Sequence, residues 1–173
     1  MSTARLWIDR VPSPIGDLLV VTDERALVAL EFDDTEDRMT PHLARYFKGA
    51  EIVQRVDPLG MSRRVQAYLA GDLAAFDGAA VDPCGNGFQL RVWLALRAIP
   101  PGETISYGAL AARLGNPTAS RAVGMANSRN PIAIVLPCHR VIGANGALTG
   151  YAGGLERKTW LLQHEGALPR QLI

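Results

Sequence analysis

The chain has 173 residues, of which 48% are hydrophobic and 20% charged, so it can bury a core in one domain or in two small ones and is not expected to be disordered. It has no apolar run near the roughly 18–20 residues that cross a bilayer, and its first ten residues lack the apolar segment of a signal peptide. Its two cysteines, Cys84 and Cys138, are too few for a disulfide scaffold, and we expect a cytoplasmic protein with reduced thiols.

The net charge of +1 conceals an uneven distribution. Residues 1–80 hold nine basic and thirteen acidic residues, whereas residues 81–173 hold nine basic and four acidic ones, so the two parts carry −4 and +5. Nearly all cations of the second part are arginines, which suit phosphate and base recognition; an ordinary solvated surface is the other interpretation. The histidines and cysteines lack metal-ligand spacing, so neither a metal nor another cofactor is expected.

Residues 1–80 predict an N-terminal α+β supporting domain. Three short apolar runs within residues 4–32, separated by Pro- and Gly-containing turns, indicate an antiparallel meander. Residues 33–40 read as a polar loop, and the next helix is predicted from Thr40 as N-cap, through Pro41 at its first position, to residue 47. Apolar residues at helical spacing predict a further helix over 61–70.

Residues 81–87 are rich in Gly, Pro and Asp and carry no periodic pattern. We interpret them as a linker to a mostly helical domain over 88–173. Cys84 lies in this linker and reads as an incidental thiol. The first helix of the second domain is predicted over 88–99.

Two short helices separated by a tight turn come next. Ser106 is expected to cap a helix over 107–114, Gly115 to end it, and a helix with small interior residues to run over 116–128. Such a pair is typical of a helix-turn-helix that binds DNA, although small residues also occur in plain helix packing.

A cluster of reactive side chains follows an apolar run at 132–136, which we interpret as a rigid arm. Cys138, His139 and Arg140 stand in consecutive positions after Pro137. A nearby histidine makes thiolate available, but neighbours on an extended segment point to opposite faces, so a bridging water is expected between thiol and imidazole. A buried, inert cysteine and a satisfied interface histidine are the alternatives.

The histidine needs an acceptor that orients it. The last helix is predicted over 155–164, with Leu155, Thr159 and Leu162 on one side, and Glu165 follows it. A carboxylate is poorly placed at a helix C-terminus, which favours a task for Glu165 over none. Asn130 stands before the arm, where its amide is expected to pin the turn.

The segment from Pro137 to Val141 resembles the active site of the O6-alkylguanine-DNA alkyltransferases, the methylated-DNA–protein-cysteine methyltransferases. The resemblance extends over nearly the whole chain, at residues 13–18, 102–108, 115–117, 120–124, 130–131, 150–155 and 161–166. It implies stoichiometric, irreversible transfer of an alkyl group from O6-alkylguanine in double-stranded DNA to Cys138, with O4-alkylthymine as a further candidate substrate. The protein would bind the minor groove through the helix-turn-helix as a monomer and flip the damaged base out.

The resemblance also implies roles for individual residues. In contact with DNA and base, Arg121 would occupy the vacated space and Asn116 would touch the backbone. The carbonyls of Val141 and Cys138 would read the guanine edge, and the amides of Tyr151 and Ala152 would lie near O6. In the chemistry, Tyr107 would promote base rotation and give the leaving guanine a proton, Asn130 would act as a hinge, and Glu165, His139 and a water would take the proton of Cys138.

Two departures and two alternatives remain. The lack of cysteine in residues 1–83 removes the structural zinc of some relatives, and Ala133 replaces a proline of relatives with wide substrate range, which makes acceptance of bulky alkyl groups doubtful. A non-catalytic sensor of alkylated DNA would use Tyr107 and Arg121 alone. A Cys-His hydrolase would take oxyanion donors from the loop at 150–154.

Overall fold

A computed structural model describes residues 4–170 of the chain. These residues form two compact units: the first extends to Cys84 and includes Pro131–Ala133, and the second comprises Gly85–Asn130 and the residues from Ile134 onward. The division predicted from the sequence has a single boundary at 81–87, and it did not anticipate that Pro131–Ala133 belong to the first unit. No helix among residues 4–170 is long and apolar enough to cross a membrane.

The first unit is built on a four-stranded sheet in the order β3-β2-β1-β4. Its strands are β1 (Arg5–Val11), β2 (Leu18–Thr22), β3 (Leu27–Phe32) and β4 (Glu51–Gln54). The first three form the predicted antiparallel meander. β4 was not predicted and pairs in parallel with β1, so the sheet is mixed. Its four residues are mostly exposed, and so short an edge strand carries no periodic signal.

Helix α1 (Glu36–Tyr46) corrects the sequence prediction, because it begins four residues before Thr40. Buried Met39 and Leu43 hold this helix to the core, and Glu36 lies in the first turn, where a carboxylate is favoured by the helix dipole. Thr40 does not cap the helix; its hydroxyl donates to the Glu36 carbonyl. Pro41 lies in the interior, where it is tolerated at the expense of one backbone hydrogen bond.

Helix α2 (Met61–Leu69) confirms the other prediction in this unit. The centre of the unit is β2 and β3, whose residues are all buried. Two segments outside the sheet extend it by pairing with β3, one at Val81 and one at Ile132. Leu30 donates to the Pro131 carbonyl and accepts from the Ala133 amide, both at 3.0 Å. The start of the apolar arm is thus a short strand-like segment of this unit.

The second unit contains the four helices that the sequence predicts. They are α3 (Gly87–Leu96), α4 (Tyr107–Arg113), α5 (Ser120–Ser128) and α6 (Leu155–His164). Short strands β5 (Ile105–Ser106) and β6 (Val141–Ile142), which were not predicted, pair in parallel. The α+β class with a mostly helical C-terminal part is confirmed.

Caps explain where these helices begin. Asn86 and Gln89 form a capping box at the start of α3. Ser106 caps α4 as predicted, since it accepts from the Ala109 amide at 3.0 Å. α5 begins at Ser120 and not at residue 116, because the turn after α4 occupies the residues between.

Candidate active site

Cys138 begins a single 3-10 turn, Cys138–Arg140, so the prediction of an extended arm that reaches the cysteine is wrong. Residues 133–135 already form a turn, and Ile134 has φ 71°, which is strained for a β-branched residue. Asn130, expected to pin this turn, donates from Nδ2 to the Leu136 carbonyl at 2.6 Å. Apolar composition predicts burial of the run but not its path, which is set by this hydrogen bond and turn. The Cys138 residue is 7% exposed.

A buried ion cluster lies directly beside the cysteine in sequence. Glu165 Oε1 is 2.9 Å from His139 Nε2 and 2.8 Å from Arg140 Nε, and Glu165 Oε2 accepts from Arg140 Nη2 at 2.7 Å. The His139 and Glu165 side chains are fully buried, and that of Arg140 is 8% exposed. Burial alone would raise the pKa of Glu165, but the hydrogen bonds from Arg140 and His139 outweigh it and hold that pKa well below its usual value. Glu165 is therefore an ionised acceptor.

His139 is held as a neutral base. Complete burial lowers its pKa, and the hydrogen bond and charge of Glu165 oppose that shift only in part. With Nε2–H donating to Glu165, the tautomer leaves the lone pair on Nδ1, and Nδ1 is buried without a hydrogen-bond partner among the described residues. The ring thus presents one free acceptor atom for a proton.

Lys158 on α6 is a member of this site that the sequence interpretation missed. Its side chain is fully buried, and Nζ donates to the carbonyls of Val141 at 2.6 Å and Thr149 at 2.9 Å. Burial lowers its pKa, and attraction to Cys138 opposes this shift. Of the residues predicted to share one side of α6, Leu162 is fully buried, whereas Leu155 is 50% exposed. The sequence held one signal for this lysine: it stands three residues before the apolar Leu161, and residues at this spacing share a helix face.

Tyr107 is the first residue of α4, and its hydroxyl donates to the same Thr149 carbonyl at 3.1 Å. Burial raises the pKa of Tyr107, and Cys138 contributes to the same shift, which places the phenol within electrostatic reach of the thiol. At this pKa the phenol is protonated and can act as a donor.

Asn127 on α5 is a second residue that was missed. It is 3% exposed, and its Nδ2 donates to the Cys138 carbonyl at 3.3 Å. Its Oδ1 is buried and has no partner among the described residues. Its position next to buried Ala126, on the inner face of the helix, was the signal that could have revealed it.

The predicted DNA- and base-contacting residues fall into an exposed and a buried group. Arg121 and Asn116 are exposed on α5 and in the turn before it, as is Ala152 in the loop before α6. Tyr151 is partly buried, and Val141 is fully buried. The Val141 carbonyl accepts one bond, from Lys158 Nζ, whereas the Cys138 carbonyl accepts two, from Asn127 Nδ2 and from the Val141 amide.

Among residues 4–170, no group of three or more His, Cys, Asp or Glu is arranged to hold a metal ion.

Comparison with known proteins gives a consistent picture. Two family models match the chain: "6-O-methylguanine DNA methyltransferase, ribonuclease-like domain" over residues 10–83 and "6-O-methylguanine DNA methyltransferase, DNA binding domain" over residues 87–167. A methylated-DNA–protein-cysteine methyltransferase of Salmonella typhimurium is 51% identical over 167 residues, which are 95% of this chain and 98% of that protein. A similarly named protein of Methanosarcina acetivorans is 48% identical over 155 residues, 90% of this chain and 95% of that protein.

Solved structures agree with these relatives. The structure of Mycobacterium tuberculosis OGT in complex with DNA has a TM-score of 0.79 and 41% identity, covering 94% of this chain and 93% of that one. An O6-methylguanine-DNA methyltransferase from Pyrococcus kodakaraensis has a TM-score of 0.71 and 28% identity, with 93% and 99% covered. On the strength of its sequence, its fold and the two matching models, the chain belongs to the 6-O-methylguanine DNA methyltransferase family.

Proposed function

We propose that this protein repairs DNA by transferring the alkyl group of O6-alkylguanine to the sulfur of Cys138, once per molecule. The observation that carries the proposal is the buried Cys138–His139–Glu165 arrangement, in which a neutral imidazole with a free Nδ1 adjoins the thiol in sequence and an ionised carboxylate holds the opposite nitrogen. Relatives that span nearly the whole chain carry the name of this activity.

The chemistry follows from the groups present. His139 Nδ1 takes the thiol proton through a bridging water, and Glu165 stabilises the resulting imidazolium. The thiolate attacks the saturated alkyl carbon, a sulfur–carbon bond forms, and the carbon–oxygen bond breaks with its electron pair on O6 of guanine. Tyr107 gives the leaving base a proton, which is returned from the imidazolium. Displacement at saturated carbon needs a soft nucleophile and no oxyanion hole.

The product is a thioether, which water does not hydrolyse, so Cys138 is not regenerated. Each molecule therefore acts once, and the amount of repair equals the amount of protein. The Cys-His hydrolase alternative predicts turnover, and the sensor alternative predicts binding without a covalent product. The buried base at His139 would serve no purpose in a sensor.

DNA would be bound through α4 and α5. The +5 charge of residues 81–173 suits a phosphate surface, and exposed Arg121 lies in the first turn of α5. We propose that Arg121 fills the space of the flipped base, that Asn116 contacts the backbone and that the amides of Tyr151 and Ala152 face O6. We further propose a monomer working in a reducing cytoplasm, in keeping with the two free cysteines.

The central test is an intact-mass measurement. The protein is mixed with a duplex oligonucleotide that contains O6-methylguanine, and one methyl group per molecule is expected, mapped to Cys138. Cys138→Ala should abolish the addition while duplex binding persists, whereas Cys84→Ala, the matched control, should leave it unchanged. Retained binding without methyl transfer by the unmodified protein would favour the sensor, and repeated turnover on an ester or peptide would favour the hydrolase.

The role of Arg121 is tested separately. Arg121→Ala should slow transfer from duplex DNA by about 10-fold or more, the loss expected for one well-placed charged contact of roughly 1.5–3 kcal/mol. Transfer from free O6-methylguanine base should change little, because no base rotation is needed. Arg129→Ala, an exposed arginine at the far end of α5, is the control; equal losses on duplex and free base would contradict a role in base flipping.

A further inference from the structure

Asn127 Oδ1 is a buried hydrogen-bond acceptor to which no described residue donates. Buried polar atoms in proteins nearly always have a hydrogen-bond partner, and leaving one without a partner costs about 1–3 kcal/mol. The residue is 3% exposed, and Oδ1 has no partner among the described residues. The orientation of the amide follows from its neighbour: Nδ2 lies 3.3 Å from the Cys138 carbonyl, and exchanging the two atoms would set two acceptors against each other.

The position of this amide connects it with the reacting groups. It bonds the carbonyl of the nucleophilic residue itself, and it also interacts with the Tyr107 hydroxyl, whose pKa it influences. In the function proposed above, Cys138 takes the alkyl group and Tyr107 gives the base a proton. Asn127 therefore lies beside two residues that act on the flipped base.

The chemistry of the lesion identifies the missing donor. O6-Alkylguanine carries no proton on N1, so its 2-amino group supplies the only N–H donors on its pairing edge. That group offers two N–H bonds. The free Asn127 Oδ1 is an acceptor for one of them, and the Val141 carbonyl, which accepts a single bond from the Lys158 ammonium, retains a second lone pair. The Cys138 carbonyl already accepts from the Asn127 amide group and from the Val141 N–H.

We propose that Asn127 is a specificity-determining residue that accepts a hydrogen bond from the 2-amino group of the flipped lesion and so favours 2-aminopurines. The inference rests on the proposed function and adds a side chain to base recognition. Its Nδ2 fixes the direction of the Cys138 carbonyl, and its Oδ1 provides the acceptor. A lesion without the amino group leaves Oδ1 unpaired and is bound less well.

The test compares two duplexes that differ by one amino group, one with O6-methylguanine and one with O6-methylhypoxanthine. Single-turnover rates of methyl transfer are measured for the unmodified protein and for Asn127→Leu, which has the same number of side-chain heavy atoms and the same branching at Cγ but no polar atoms. The preference for O6-methylguanine should fall about 5- to 10-fold in the variant, the equivalent of one hydrogen bond. The rate on O6-methylhypoxanthine should change less than the rate on O6-methylguanine.

A second variant keeps the inference testable if Asn127→Leu does not fold, which circular dichroism would reveal. Asn127→Asp, protonated in so buried a place, can donate to the Cys138 carbonyl and still accept at its other oxygen, so it should preserve the preference. Equal rate losses on both duplexes, with the ratio unchanged in both variants, would mean that Asn127 is only structural. No transfer by the unmodified protein from either duplex would instead overturn the proposed function.

Discussion

The two compact units treat charged side chains in opposite ways. In the first unit most ion pairs lie at the surface; the Arg5–Glu51 pair, for example, has both side chains more than half exposed. In the second unit His139, Arg140 and Glu165 form a buried cluster, and Lys158 is buried as well. Because burying charges is costly even when they are paired, this cluster is a poor device for stability. The buried charges of the second unit are therefore better explained by the reaction than by stability. The first unit is stabilised by the apolar core around β2 and β3.

The two cysteines follow the same division. Cys84 is partly buried, donates from Sγ to Asp82 at 3.5 Å, and has its pKa raised to about 12 by burial and by that carboxylate. It is a protonated, unreactive thiol. Cys138 is more deeply buried but interacts electrostatically with the Lys158 ammonium. The two thiols differ in the nearest charged group, a carboxylate at Cys84 and an ammonium at Cys138, and a positive charge favours the reactive thiolate.

The largest expected effect comes from removing the carboxylate that unites the cluster. Glu165→Gln leaves Arg140 as a buried charge without a counterion, and we expect a loss of about 3–5 kcal/mol in the free energy of unfolding. Glu51→Gln removes the same group from a surface pair and should cost no more than about 1 kcal/mol. Urea unfolding of both variants measures the contrast. Similar losses would mean that the two units do not differ in the way described.

The two lysines of the chain provide the next comparison, since Lys48 is exposed and Lys158 fully buried. Lys158→Met should cost roughly 1–3 kcal/mol, because the carbonyls of Val141 and Thr149 each lose a donor, and it should also slow methyl transfer. Lys48→Met should change neither quantity. Unfolding and single-turnover rates are measured on the same preparations. A variant Lys158→Met that is destabilised but transfers methyl at the normal rate would limit the lysine to a structural role.

The smallest effect is the response to mild acid. Burial lowers the pKa of His139 below 6.5, and the pKa of Glu165 is held below 4.5. In both cases the unfolded chain binds more protons than the folded one in the window between the two values. Stability should therefore be fully present above pH 6.5 and fall as the pH drops, first through His139 and then through Glu165. Methyl transfer should persist somewhat below pH 6.5, because His139 remains neutral there.

Unfolding experiments over a pH series check this expectation. His139→Asn should reduce the part of the dependence nearest pH 6.5, to which His42 also contributes because burial lowers its pKa, and should leave the part below pH 4.5, where Glu165 titrates. A steeper loss in the first unit, followed by the fluorescence of Trp7 after replacement of the other tryptophans, would contradict the assignment of the acid response to the buried cluster.

The sequence was most informative where local signals and burial agree. The meander, α2, α4 with its Ser106 cap and α6 were all predicted from periodicity or capping residues. It failed where distant contacts decide the structure. α1 starts early because of buried Met39, and β4 exists only through its pairing with β1. The path of the arm depends on Asn130 bonding a carbonyl six residues later.

The candidate site shows the same limit. Cys138, His139 and Glu165 were named from their residue types and from a family resemblance, and the structure places His139 and Glu165 in contact. Lys158 and Asn127 were missed, because each lies alone on a helix face and has no neighbouring residue in sequence that suggests its partner. Their partners are backbone carbonyls of distant segments, which a sequence does not display.

The carbonyl of Thr149 accepts from two side chains at once, the Tyr107 hydroxyl and the Lys158 ammonium. A carbonyl oxygen has two lone pairs, so this one is saturated. In the reaction proposed above, the phenol must release Thr149 in order to give its proton to the leaving base, and the ammonium remains as the second donor. During that step the Lys158 ammonium would keep the Thr149 carbonyl, and with it the loop before α6, in place while the tyrosine contact is broken.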